Sequence, residues 1–102
     1  MIEHTTNPDD CRSMQQVREG VDATDRALME LLTRRYGYMR AAARIKPSRD
    51  TVRDEARKAQ VIENARADAA VRALPADDLA QIWDQLVESS IAYELAEWDA
   101  TR

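Results

Sequence analysis

The sequence predicts an all-α protein of three helices, the first of them very long. Three observations carry this. Only two glycines and three prolines punctuate 102 residues, which leaves little chain for turns. Ala, Leu, Glu, Arg, Gln and Asp dominate and Phe is absent, a composition that favours helix over sheet. Apolar residues recur at helical spacing over long stretches, with no alternating strand pattern, internal repeat or low-complexity segment.

Residues 1–12 lack periodicity, contain Asn7-Pro8-Asp9-Asp10, and read as a polar leader. Ser13 followed by Gln16 forms a capping box that opens helix 1. Val17, Val21, Leu28, Leu31, Leu32, Met39 and Ala42 then share its apolar stripe until Lys46-Pro47 stops it. Such a helix has about 33 residues and a length of roughly 50 Å. That is too long for a compact globule of this size, and it asks for a partner. Gly20 and Gly37 inside it each cost about 1 kcal/mol relative to alanine.

Pro47–Asp50 reads as a loop. Thr51 and Asp54 make a second capping box, which opens helix 2 and carries it to about Arg72. Its apolar side is thin: Val52, Ala56, Ala59, Ile62 and Ala65. Leu74-Pro75 breaks the chain, and Asp77 and Asp78 suit the positive end of helix 3. Leu79, Ile82, Trp83, Leu86, Val87, Ile91 and Trp98 line that helix. Residues 13–102 thus form one domain, small enough for self-association to help bury a core.

Charge narrows the function classes. Residues 34–58 hold nine basic and three acidic groups, a local excess of six within a chain of net charge −4. A basic centre in an acidic protein suggests a defined anion site better than a nucleic-acid face, and no aromatic residues interleave with the run after Tyr38. A non-catalytic helical module is the reading this argues against. Cys11 is alone and His4, the one histidine, sits in the polar leader, so no metal centre or nucleophile–base constellation is expected. No apolar run approaches the ~18 residues of a membrane span, and no signal core follows Met1, so the cytoplasm is the default location.

Polar residues intrude on the apolar faces. Arg35 and Lys46 are eleven residues apart and lie within about 20° of each other on helix 1. Inward cations need anionic partners, supplied either by a ligand or by the chain's own acids. Trp83, Leu86, Val87, Ser90 and Glu94 share one face of helix 3. Glu94 there is either a protonated donor or half of an ion pair. Arg18 precedes Arg35 by seventeen residues, about 25 Å along the rod and about 100° around it. A small ligand could touch both only if two rods packed antiparallel and shared sites across a two-fold interface.

Val17-Arg18-Glu19-Gly20-Val21-Asp22-Ala23-Thr24-Asp25, Leu31-Leu32-Thr33-Arg34-Arg35 and Ala42-Ala43-Arg44-Ile45-Lys46 together resemble helix 1 of the all-helical chorismate mutases. Val52-Arg53-Asp54 with Arg57 looks like the start of their second helix, and Ser90 and Glu94 fall where the third contributes to the site. The likeness runs over residues 14–98. It implies an intertwined homodimer with shared active sites and a compact dicarboxylate substrate, chorismate, rearranged to prephenate without metal or cofactor. Arg18 of one chain and Arg35 of the other would grip the carboxylates. Lys46 would bond the ether oxygen, Arg57 would fix the carboxylate end, and Asp54 and Ser90 would support the ring side. Glu94 would be a second donor to the ether oxygen.

This chain departs from the family pattern at two places. Glu94 stands where most bacterial members have glutamine, and Lys58 where mutases of this class carry a glutamate. The related isochorismate-pyruvate lyases share the fold, the arginines and the lysine, and resemble this chain also at Asp10-Cys11 and over Arg35–Tyr38. They form salicylate and pyruvate, which makes lyase activity the alternative expectation. A 4-amino-substituted chorismate as mutase substrate is a further one.

Overall fold

A computed structural model describes residues 3–102; the first two residues of the expected leader lie outside it. Its elements are a 3-10 turn over Pro8–Asp10, helix α1 over Met14–Ile45, a second 3-10 turn over Arg49–Thr51, α2 over Glu55–Val71 and α3 over Ala76–Ala100. Among the described residues there is no strand, and the chain is all-α. It divides into two units, Met1–Gly37 and Tyr38–Arg102, and α1 continues through the boundary.

In the first unit, Ser13 Oγ accepts from the Gln16 N–H at 3.2 Å, the expected half of the capping box. The other half is displaced by one residue: the Gln16 side chain accepts from the Arg12 N–H at 2.6 Å. The leader lies along the helix, with Arg26 Nε 2.9 Å from the Glu3 carboxylate. Between them is a cavity of about 630 Å³, lined by His4, Cys11, Val17 and Val21 among others, and by none of the candidate site residues. Along α1 the apolar stripe is poorly covered. Met14, Val17, Val21, Leu28 and Leu31 are exposed, Leu31 by 63%. These five span an arc of about 100° around the helix.

The second unit is built on an antiparallel pair. Lys58 of α2 meets Asp84 and Glu88 of α3, while Arg66 meets Asp77, so the helices run in opposite directions. Val52, Val87 and Ile91 form the core, with Val61, Leu95 and Trp98 packed against them. Of the expected apolar side of helix 2, Val52, Ile62 and Ala65 do face the core, but Ala56 and Ala59 do not. Ala56 and Ala59 are exposed, and the face toward the core is Val61, Ile62, Ala65 and Ala69. Ile82, expected to line helix 3, is also exposed. On so alanine-rich a helix as α2, small residues on both sides make the apolar face ambiguous.

The start of α2 is a second correction. Thr51 closes the 3-10 turn and donates to Ser48 O at 2.6 Å, so it caps nothing. Asp54 is the cap, accepting from the Arg57 N–H at 3.0 Å. The far end closes with paired bonds from Leu74 N to Ala69 O (2.8 Å) and from Ala73 N to Ala70 O (3.1 Å). This Schellman arrangement puts Ala73 at φ 60°, a position where glycine is usual.

Candidate active site

Lys46 follows directly on the last residue of α1, and α3 faces it with Glu94. Lys46 Nζ stands 2.8 Å from Glu94 Oε2, and the two side chains are 29% and 5% exposed. That oxygen is buried and has no hydrogen-bond partner, so the lysine lies close but off the hydrogen-bonding direction. The contact is a Coulombic pair. A buried carboxylate oxygen in this state is uncommon in folded proteins away from functional sites. The ammonium also donates to Val52 O at 3.1 Å. Between the two possibilities that sequence leaves open for Lys46, the chain's own acid is its partner here.

Ser90, one turn before Glu94 on the same face, is equally buried, and its hydroxyl donates to Leu86 O at 2.7 Å. Asp54 and Arg57 sit at the exposed start of α2. One Asp54 oxygen is taken up by the helix cap, and the Arg57 guanidinium reaches Gln60 Oε1 at 2.6 Å. Arg18 and Arg35 lie in the first unit, exposed and half-buried respectively. Of the seven expected residues, contact joins Lys46 to Glu94, and the cap bond joins Asp54 to Arg57.

Part of the basic run over residues 34–58 is taken up in ion pairs with the chain's own acids: Lys46, Arg49, Arg53 and Lys58 each meet a carboxylate. Arg53 forks onto Glu88 at 2.8 and 3.0 Å, and Lys58 reaches Glu88 at 2.7 Å and Asp84 at 3.0 Å. Arg49 pairs with Asp99 at 2.9 Å, and Arg40 donates to the Tyr93 hydroxyl at 2.9 Å. Hydrogen bonds from Arg53 and then Lys58 push the Glu88 carboxyl down to about 2. Lys58, the position of the missing family glutamate, therefore spends its charge on two acids of α3.

Sequence reasoning missed the groups that hold the Lys46 backbone. Trp98 Nε1 donates to Lys46 O at 3.1 Å, and Arg102 Nη2 donates to the same oxygen at 2.8 Å. A signal existed in Pro47: it has no N–H to offer the α1 carbonyl four residues back.

The chorismate mutase type II family model matches residues 17–95. An isochorismate pyruvate lyase of Pseudomonas aeruginosa is 28% identical over 95 residues, covering 93% of this chain and 94% of that protein. With the matched stretch running from α1 to near the end of α3, the chain belongs to the chorismate mutase type II family.

Proposed function

We propose that the protein is a cytoplasmic chorismate mutase, rearranging chorismate to prephenate at two sites shared across a homodimer. The observation that carries this is the Lys46 ammonium held between Val52 O and the buried Glu94. The rearrangement breaks a C–O bond inside one molecule while a C–C bond forms, and negative charge grows on the ether oxygen. A fixed cation aimed at that oxygen stabilises the transition state more than the substrate. One such donor in a dry site contributes roughly 3 kcal/mol. The arginines hold the two carboxylates and select the compact conformer, so the reacting carbons start close together.

Glu94 donates to the ether oxygen only in its protonated form; ionised, it accepts and repels the growing charge. A glutamine donates at every pH. Glu94→Gln is therefore expected to turn over at least as fast as the parent, because it puts a donor where the pair with Lys46 leaves an acceptor. A large loss of turnover in Glu94→Gln would remove this role from Glu94.

The dimer is supported by the exposed stripe of Val21, Leu28 and Leu31, and by the separation of Arg18 from Arg35 on one continuous helix. A second copy packed antiparallel would cover the stripe and bring its Arg18 to the Arg35 of the first.

The second reading is isochorismate-pyruvate lyase, favoured by the near full-length likeness to the Pseudomonas protein and by the Asp10-Cys11 leader. Both reactions break a C–O bond that Lys46 would assist. Incubating the protein separately with chorismate and with isochorismate decides between them. Prephenate is the expected product; salicylate with pyruvate from isochorismate and no prephenate would replace the first reading with the second.

A further inference from the structure

A carbonyl in the last turn of an α-helix lacks its partner unless something outside the helix supplies a donor. At Ala43 that gap is forced by sequence, because the N–H that would bond it belongs to residue 47, a proline. Ala43 is 1% exposed, so solvent is a poor substitute. The bond comes from Arg102, whose Nη2 lies 3.0 Å from Ala43 O and 2.8 Å from Lys46 O. Trp98 Nε1 supplies a second donor to Lys46 O at 3.1 Å. The guanidinium stacks on the Trp98 ring, 4.4 Å from its centre, which fixes the direction of its fork.

Glu94, Trp98 and Arg102 are spaced by four, one helical turn each. α3 carries the first two and the third follows just beyond its end. The same stripe thus holds Lys46 at both ends: its ammonium through Glu94 and its carbonyl through Trp98 and Arg102. The Lys46 N–H is itself bonded to Ala42 O at 2.9 Å. From these contacts we infer that Trp98 and Arg102 are positioning residues, a clamp that fixes the backbone from which Lys46 reaches the reacting oxygen. A lysine stem has four rotatable carbons and much freedom to lose. Fixing its root removes the drift that would be multiplied along the stem, and a displacement of an ångström at the reacting centre can cost about a hundredfold in rate. The positive charge at the C-terminal end of α1 also suits the helix dipole there.

This inference rests on Lys46 being the catalytic cation, and the test separates the two ideas. With the full chain and whichever of the two substrates it turns over, kcat and KM are measured for Arg102→Ala, Trp98→Phe, Lys46→Ala and Arg102→Ala combined with Lys46→Ala. The clamp predicts that Arg102→Ala lowers kcat by about tenfold or more with KM within about twofold. Trp98→Phe, which keeps the ring and loses the donor, moves the same way by less, and Arg102→Lys restores part of the loss. Arg102→Ala adds no further loss once Lys46 is gone. Amide hydrogen exchange at Ile45 and Lys46 quickens in Arg102→Ala, a readout independent of activity.

Normal kcat in both Arg102→Ala and Trp98→Phe, or equal losses from Arg102→Ala with and without Lys46, would overturn the clamp while leaving Lys46 its role. Normal kcat in Lys46→Ala would overturn the role itself. Should Arg102→Ala fail to fold by circular dichroism, Trp98→Phe and Arg102→Lys carry the kcat and exchange measurements, and unchanged values in both overturn the clamp.

Discussion

The two units of the chain meet their physical needs in opposite ways. In the second, Val52, Val87 and Ile91 are buried, and Arg53 just before α2 and Lys58 on it pair with Glu88 and Asp84 of α3. In the first, a helix of the same apolar periodicity leaves Val21, Leu28 and Leu31 in contact with solvent. Exposed leucines scattered singly mean little, but a stripe of them along one face of a long helix marks a surface made to be covered. The difference teaches that the α2–α3 hairpin finds its partners locally, whereas α1 up to residue 37 keeps an apolar stripe open to solvent, the stripe that the proposed dimer would cover.

The sharpest way to break that contrast is to test whether the partner is a second copy. Arg18→Ala and Arg35→Ala are each expected to lose activity by orders of magnitude. Mixed and allowed to exchange subunits, they should regain it, since random pairing leaves about a quarter of the sites with both arginines. Verified exchange without recovery would sink the shared site.

Next in size is a charge on the uncovered stripe. Leu31→Asp is expected to weaken the dimer by roughly 2 kcal/mol or more, about thirtyfold in dissociation constant. Sedimentation against concentration reads this directly. An unchanged dimer would mean that the stripe is covered by something else.

Within the self-sufficient unit the expected effects shrink. Ala73 holds φ 60° to close α2, and a side chain there is strained where glycine is not. Ala73→Gly should therefore stabilise the protein by about 1 kcal/mol in denaturant unfolding, and a loss of stability would refute the strain.

The smallest effect concerns the ion pairs of Glu88. Glu88 is pushed from its ordinary 4.5 down to about 2 by Arg53 and Lys58. Its folded value is the lower one, so its contribution is fully present above about 4.5 and disappears as pH falls through about 2. Melting temperature across that window should fall more steeply in the parent than in Glu88→Gln. Parallel curves would show that these pairs add nothing to stability.

The same contrast between local and distant partners separates what is legible in the sequence from what is not. The length of α1, its start at Ser13 and its stop before Pro47 are local matters, and they read correctly to within a residue. The break at Leu74-Pro75 is equally plain. The start of α2 misleads because Thr51 and Asp54 both carry capping oxygens, and spacing alone does not tell that the Thr51 hydroxyl donates backward to Ser48. How much of the basic run is neutralised is hidden from the sequence for a related reason. Counting charge along the chain ignores acids such as Glu88, thirty-five residues on from Arg53, which neutralise it in space.

By itself, then, the sequence determined the helix count, the long first helix, and the inward placement of Lys46, Ser90 and Glu94. Each of these follows from periodicity and breakers acting over a few residues. Tertiary structure alone decided whom Lys46 meets. Its carbonyl bonds to a side chain fifty-six residues away, and its ammonium pairs with a carboxylate on another helix. Such pairings depend on how helices pack and where each turn ends, and no local pattern records them.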